Sequence, residues 1–259
     1  MANWSDLGPR VGSAVVMTLV GGAAVFLGGI WFNLLVALCV WAMTWELLRM
    51  FGVFEGQKQV LFAGLSAVII LLSFVGGIGL WLAFGLAVLL LIGHYFGPEK
   101  INDWVFSLLF VPTVVGCGLL IFRGNEGLVF ILWMLLVVIA SDVMGYFAGK
   151  TFGGPKFWPS ISPKKTWSGT AAGWVGAALV GFCFVIWNGS PISLIFVSVL
   201  TSFAGQMGDI AESALKRKQG IKDSSNLIPG HGGVLDRFDA ISGAVIFLLA
   251  LSLVMQVSV

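Results

Sequence analysis

Nine stretches of about 20 mostly apolar residues follow one another almost without pause, near 11–30, 32–50, 59–76, 78–96, 103–122, 127–148, 169–188, 191–214 and 240–258. That is the length a helix needs to cross the hydrocarbon core of a bilayer. Charged residues make up only 10% of the chain and hydrophobic ones 58%. A soluble domain carries about 25% charged residues, so this chain cannot cover its surface with polar groups in water. In lipid every backbone N–H and C=O must be satisfied internally, which a helix does within one segment. The expectation is an all-α integral membrane protein, a polytopic bundle of about nine transmembrane helices forming one domain over residues 1–259. The first two runs are separated only around Trp31. The first follows Arg10 as the apolar core of a signal peptide would, but lacks a clear small-residue cleavage site and is read as a helix.

Lysine and arginine orient the bundle. With the N-terminus cytoplasmic and nine crossings, 13 of the 14 basic residues fall on the inner side and only Arg123 outside. The C-terminus is then outside. A net charge of +2 is too small to argue for nucleic acid, and no nucleic-acid partner is expected. Cys39, Cys117 and Cys183 sit inside apolar runs with no paired spacing, as core thiols do. Glu46, three residues before Arg49, reads as a local ion pair or a snorkelling carboxylate. His94 reads as an interfacial histidine.

The remaining charge is concentrated. Fifteen of the 26 charged residues lie between Asp142 and Asp239. Asp142, Gly145, Tyr146 and Gly149 share one helical face at i, i+3, i+4 and i+7. An aspartate in a spanning segment is a functional candidate, and glycines beside it permit close helix packing. A structural aspartate bridging a neighbouring helix is the bland alternative. The loop from Lys150 to Ser168 carries Gly153-Gly154-Pro155 and Pro159, which exclude a regular helix. Its Ser162-Pro163-Lys164-Lys165-Thr166 run would serve equally as a solvated basic loop.

The next polar stripe is Asp209, Glu212, Ser213 and Lys216, again on one helical face. Two carboxylates there imply a bound cation or a lysine. A polar segment follows, with Lys216, Arg217, Lys218, Lys222, Asp223, Pro229-Gly230-His231-Gly232-Gly233 and Asp236-Arg237-Phe238-Asp239. Cations neutralise phosphate oxygens, a glycine turn can expose successive N–H groups to an anion, and carboxylates hold a hard divalent cation. Asp236 and Asp239 open the last helix near its positive end, where a plain capping role is the competing reading.

The order Ser213-x-Leu215-Lys216-Arg217, Lys222-Asp223, Pro229-x-His231-Gly232-Gly233, Asp236-Arg237-Phe238-Asp239 resembles the C-terminal motif of the phosphatidate cytidylyltransferase (CDP-diacylglycerol synthase) family. The Ser162–Thr166 run is similar to a second motif of that family, with Ser168 where many members carry a glutamate. The Asp142–Gly149 pattern is similar to a third, with Gly145 where alanine is common. The resemblance implies a catalytic region over about 142–239 and transfer of a cytidylyl group from CTP to phosphatidate at the cytoplasmic face of the inner (plasma) membrane, for phospholipid biosynthesis. It implies Mg²⁺, with room for a second cation, on Asp209, Asp236 and Asp239. Lys216, Arg217, Lys222, Arg237, Lys164 and Lys165 would hold phosphates, supported by Ser213, Asp223, Gly232, Gly233 and Asp142. His231 would organise the turn or donate a proton to pyrophosphate. A homodimer in the membrane lipid is implied as well.

Two other readings compete. A CTP-dependent membrane kinase for a polyprenol or phytol would share the basic loop but need a base for its hydroxyl acceptor. A cation-coupled transporter could use Asp142, Asp209 and Glu212, but predicts internal repeats that the chain does not show.

Overall fold

The computed structural model describes residues 7–76 and 111–255. It contains α1 (Leu7–Leu27), α2 (Gly29–Met50), α3 (Gln57–Gly76), α4 (Val111–Ile121), a π-helical turn (Phe122–Glu126) and α5 (Gly127–Phe152). Strands β1 (Lys156–Trp158) and β2 (Ser162–Thr166) follow, then α6 (Trp167–Asn188), α7 (Ser193–Lys218) and α8 (Leu235–Met255). Six helical segments among the described residues are long and apolar enough to cross a membrane. One of them, Val111–Phe152, counts 42 residues. At 1.5 Å per residue that is about twice a bilayer core, so a continuous rod would overshoot. The π turn and Gly127, at φ +82°, interrupt it, close to the boundary expected between 122 and 127. The expected helix at 78–96, with His94, lies outside the described residues.

The first break falls earlier than Trp31. Gly28 and Gly29 take φ values of +63° and +48°, which only glycine adopts without strain, and Trp31 belongs to α2. The Arg123 guanidinium lies where a Gly28 side chain would stand, and its Nε donates to the Val25 carbonyl at 3.2 Å.

The chain forms two compact units, residues 1–128 with 221–237, and 129–220 with 238–259. In the first, α2 packs on α1, α3 and α4 around Met43, Leu48, Ala63 and Ile70, all buried. Gly116 of α4 sits against Val36, Val40 and Ile70. In the second, α5, α6, α7 and α8 pack around Trp133, Met134, Val137, Ala177 and Ala244. Glycine makes the close approaches here. A Cβ at Gly169 would meet the Gly145 carbonyl at 2.6 Å, and one at Gly149 the Thr166 hydroxyl at 2.9 Å, so the glycine face of α5 packs as its spacing suggests. Gly208 lies on the Asp239 carbonyl and Gly243 on the Ala204 carbonyl.

Outward faces of both units carry large apolar side chains, among them Leu19, Phe26, Leu38, Ile186, Phe196 and Val254. In lipid such faces cost nothing, which is why burial and hydrophobicity part company here. Cys183 shows this: it is exposed on α6, a correction to its reading as a core thiol, while Cys117 is buried and all three thiols are free.

Candidate active site

In the second unit, helix ends and a hairpin line a half-open cavity of about 470 Å³. The segment after α5 turns at Gly153 and Gly154, both at positive φ. It then forms an antiparallel hairpin, pairing Lys156 with Thr166 and Trp158 with Ser162. The Ser-Pro-Lys-Lys-Thr run is therefore β2 rather than a plain loop. Phe157 packs edge-on against Trp167, with centroids 4.6 Å apart. Thr166 caps α6, its hydroxyl accepting from Gly169 N–H at 3.2 Å, and Ser168 donates to the Gly153 carbonyl at 2.5 Å. Ser168 thus ties the base of the hairpin as a neutral hydrogen-bonding group.

The hairpin projects Lys164 and Lys165 into the cavity wall with Lys150, Asp142, Tyr146 and Asp209. Lys165 Nζ lies 2.5 Å from Asp209 Oδ2, and both side chains are about a quarter exposed. Ser213 Oγ donates to Asp209 Oδ1 at 3.3 Å, one turn along α7. Asp209, Asp142 and Lys216 all act electrostatically on the Asp239 carboxylate, whose Oδ1 also accepts from the Ala240 N–H at 2.7 Å. One turn further along α7, Lys216 pairs with Glu212 at 3.1 Å, both buried. Arg217 is exposed at the end of α7.

Sequence reading overlooked Gln206, whose amide donates to Ser141 Oγ and the Thr170 carbonyl, both at 3.3 Å, and accepts from Trp174 Nε1 at 3.0 Å. It forms the polar lining behind Asp209. An amide amid apolar residues one turn before Asp209 was the available signal.

The first unit holds the other half of the polar segment. Lys222 and Asp223 are exposed. Between Ile228 and Gly232 the chain folds back on itself: Ile228 N–H donates to Gly232 O at 2.8 Å and His231 N–H to Ile228 O at 2.9 Å. Gly232, at φ +84°, makes the turn. Gly233 N–H donates to Asp236 Oδ2 at 2.8 Å. The N–H groups of His231 and Gly233 therefore face acceptors of the protein itself, which departs from an open backbone cradle. Asp236 is buried and also accepts from the Ser224 N–H and hydroxyl, each at 3.0 Å from Oδ2. Arg237 is exposed and donates to the His231 carbonyl at 3.0 Å. His231 Nδ1 lies 2.7 Å from Ser13 Oγ, which is 2.9 Å from the Pro229 carbonyl. When the hydroxyl gives its one proton to Pro229, Nδ1 must be the donor to Ser13, leaving Nε2 as the acceptor of a neutral ring.

Glu46 is the largest correction. It makes no pair with Arg49, whose guanidinium lies over the Trp45 ring at 5.5 Å. Its carboxylate is fully buried and accepts from Ser224, Ser225, Val234 and Leu235. The i, i+3 pairing lost because four fixed donors outweigh one flexible surface cation.

The chain is similar to known proteins along nearly its whole length. A model of the cytidylyltransferase family matches residues 9–255. The phosphatidate cytidylyltransferase of Brucella abortus is 35% identical over 259 residues, which covers 94% of this chain and 92% of that protein. The one from Haemophilus influenzae is 36% identical over 184 residues, 63% of each chain. The one from Bacillus subtilis is 44% identical over 131 residues, 48% of this chain and 49% of that protein. The match runs from α1 to the last turn of α8 and takes in both polar segments, and on that ground the chain belongs to the cytidylyltransferase family.

Proposed function

We propose that the chain transfers the cytidylyl group of CTP to phosphatidate, releasing pyrophosphate and CDP-diacylglycerol. The observation that carries this is the cavity in which Lys150, Lys164 and Lys165 gather beside Asp209 in a chain otherwise poor in charge. A site of this size suits a small polar ligand, and ammonium groups suit a polyphosphate. The relatives' names supply the lipid acceptor.

In this reaction a phosphate oxygen of the lipid attacks the α-phosphorus of CTP, and the bond to pyrophosphate breaks. The attacking oxygen is already ionised, so no strong base is required. The protein's work is positioning and charge neutralisation. Lys164 and Lys165 hold the polyphosphate, and Lys216, Arg217, Lys222 and Arg237 serve further phosphate oxygens. Ser213 orients Asp209. His231 organises its own turn.

Asp209 and Asp239, with Asp142 acting on the same cluster, supply hard oxygen donors, and Asp209 already holds the Lys165 ammonium, a donor set that suits Mg²⁺. No three His, Cys, Asp or Glu side chains among the described residues gather as a metal-binding group. Mg²⁺ asks for less, commonly one or two carboxylates with water and substrate phosphate completing its shell. When bound, it would draw charge from the phosphate oxygens. Asp236 joins Asp209 and Asp239 in this reading on the support of the motif it opens.

The reading has nine crossings of the inner membrane, with the N-terminus and both basic segments on the cytoplasmic side and the C-terminus outside, on the strength of the lysine and arginine distribution. It includes a homodimer. The deciding experiment follows CTP labelled at the α-phosphorus with phosphatidate and Mg²⁺. Labelled CDP-lipid with pyrophosphate is expected; free CDP with a phosphorylated alcohol, or no turnover, refutes the function. Cysteines at exposed Ser160 and Asn226, probed from each side of sealed vesicles, test the orientation.

A further inference from the structure

Glu46 lies on α2, 178 residues before Ser224 in the chain, and none of its surface is exposed. Its Oε1 accepts from Ser225 Oγ at 2.5 Å and Val234 N–H at 2.9 Å. Its Oε2 accepts from Ser224 Oγ at 3.2 Å and Leu235 N–H at 2.7 Å. Ser225, Val234 and Leu235 each give Glu46 a whole proton, while the single Ser224 hydroxyl proton is shared between Glu46 and Asp236, a donor-rich set that suits an ionised carboxylate. The Leu235 N–H belongs to the first turn of α8, otherwise an orphan, at the positive end of that helix.

An ionisable group buried in a spanning helix is costly, and an apolar residue would join α2 to its neighbours at less expense. What the carboxylate adds is a fixed geometry for one turn. The Ser224 hydroxyl stands 3.2 Å from Glu46 Oε2 and 3.0 Å from Asp236 Oδ2, so one side chain links the two carboxylates. Gly233, whose N–H donates to Asp236, rests directly against Ser224 and Glu46, with no room there for a Cβ. Every hydrogen bond described above for Asp236 comes from Ser224 or Gly233, and Glu46 holds the first and backs the second.

We propose that Glu46 is a positioning residue for the reaction. From α2 it clamps the turn between Ser224 and Leu235, so that Asp236 presents its carboxylate in a single orientation. This rests on the reading of Asp236 as a metal-binding carboxylate. Lys164 and Lys165 are not among the partners of Glu46, so its effect falls on the metal and the chemical step rather than on capture of CTP.

The test compares wild type, Glu46→Gln, Ser224→Ala and Asp236→Asn, purified whole in detergent. Mn²⁺ binding without nucleotide is read by electron paramagnetic resonance, alongside kcat, KM for CTP and thermal melting. Glu46→Gln keeps the volume but turns an amide toward donors. It should weaken Mn²⁺ binding and lower kcat, each by about 10- to 100-fold, as loss of a ligand's supporting partner does. KM for CTP should stay within about twofold. Ser224→Ala, which unburies nothing, should act in the same direction by about fivefold, the worth of one hydrogen bond. A lowered melting temperature with wild-type Mn²⁺ affinity and kcat per folded molecule would mean a structural clamp only and overturn the proposal. If Glu46→Gln does not fold, Ser224→Ala decides alone: wild-type Mn²⁺ affinity and kcat there overturn it too. Asp236→Asn separates the two failures. If it loses Mn²⁺ while Glu46→Gln does not, the clamp is wrong and the metal reading stands; if it binds Mn²⁺ and turns over like wild type, the metal reading itself falls.

Discussion

Replacing Asp209 by asparagine should separate stability from catalysis. The Lys165–Asp209 contact is short, 2.5 Å, but both side chains are about a quarter exposed. Water and salt screen such a pair, and it contributes roughly 0.2–1 kcal/mol to folding. In a chain of this size that corresponds to a melting shift of no more than about 4 °C. The asparagine can still accept from Ser213, so the helix face keeps its other contact. Turnover should respond on another scale. Losing a carboxylate that would hold the cation neutralising the phosphate charge should cost about 10²- to 10³-fold in kcat, on the order of losing one preorganised electrostatic contact. A third quantity moves the other way. Freed from the carboxylate, Lys165 becomes available to phosphate, and up to about 1 kcal/mol returns to binding. CTP binding measured in EDTA should therefore tighten by about two- to fivefold. The assays are thermal melting in detergent, steady-state rates with Mg²⁺, and equilibrium CTP binding without metal. A melting loss above 10 °C, on the order of three times the expected shift, would make Asp209 structural. A rate within about tenfold of wild type, or weaker metal-free CTP binding, would remove it from the centre of the site.

Lys164→Ala should raise KM for CTP by about tenfold or more with kcat nearly unchanged, since a phosphate contact made in ground and transition states alike is uniform binding. If Asp209 and Asp236 act as a unit, the double Asp→Asn variant should be little slower than either single one, whereas losses that multiply would refute a shared role. Gly208→Ala would press a methyl onto the Asp239 carbonyl and Gly243, costing about 1–3 kcal/mol in thermal unfolding. Gly64→Ala in α3 meets no atom within 4 Å and should be neutral or gain about 0.5–1 kcal/mol. Glu212→Ala strands the buried Lys216 ammonium and should cost about 3–5 kcal/mol in the same melts; an unchanged midpoint would show that the lysine finds water instead.

Features set by neighbours along the chain were legible. Apolar runs of bilayer length become helices because lipid leaves the backbone no other way to satisfy itself. The stripe on α7 read correctly for the same reason: helical spacing alone brings Ser213 to Asp209 and Lys216 to Glu212. Features set across the chain were not. The Lys156–Thr166 hairpin contains two prolines and three lysines, which local propensity counts against a strand. It exists because the edges of Lys156 and Trp158 meet those of Thr166 and Ser162, and because Phe157 seats on Trp167. Glu46 has Thr44, Arg49 and the indoles of Trp41 and Trp45 within five residues, and nothing about them announces Ser224 or Leu235. An intramembrane carboxylate without a local partner is a signal that a distant one exists, and for Glu46 the nearby Arg49 masked that signal.

Two carboxylates of this chain are balanced in opposite ways, and the difference accounts for their separate uses. Asp209 is met by a lysine on a hairpin, partly open to solvent, on a side chain with four rotatable bonds. A point charge of that kind can be displaced by another cation and can itself move to another anion. Glu46 is met by two hydroxyls and two backbone N–H groups, all fixed by the chain and sealed from water. Neutral donors cannot leave without unfolding the turn that carries them, and an incoming cation would find no exposed oxygen. An exchangeable pair suits a site where metal and polyphosphate must arrive and depart each turnover, while a closed set of donors suits the frame that holds such a site still. Asp236 stands between these cases: it is buried and held by Ser224 and Gly233, yet lies one helical turn from Asp239 in the same α8. Its carboxylate is therefore oriented by the frame and, in the proposed reaction, offered to the exchangeable partner.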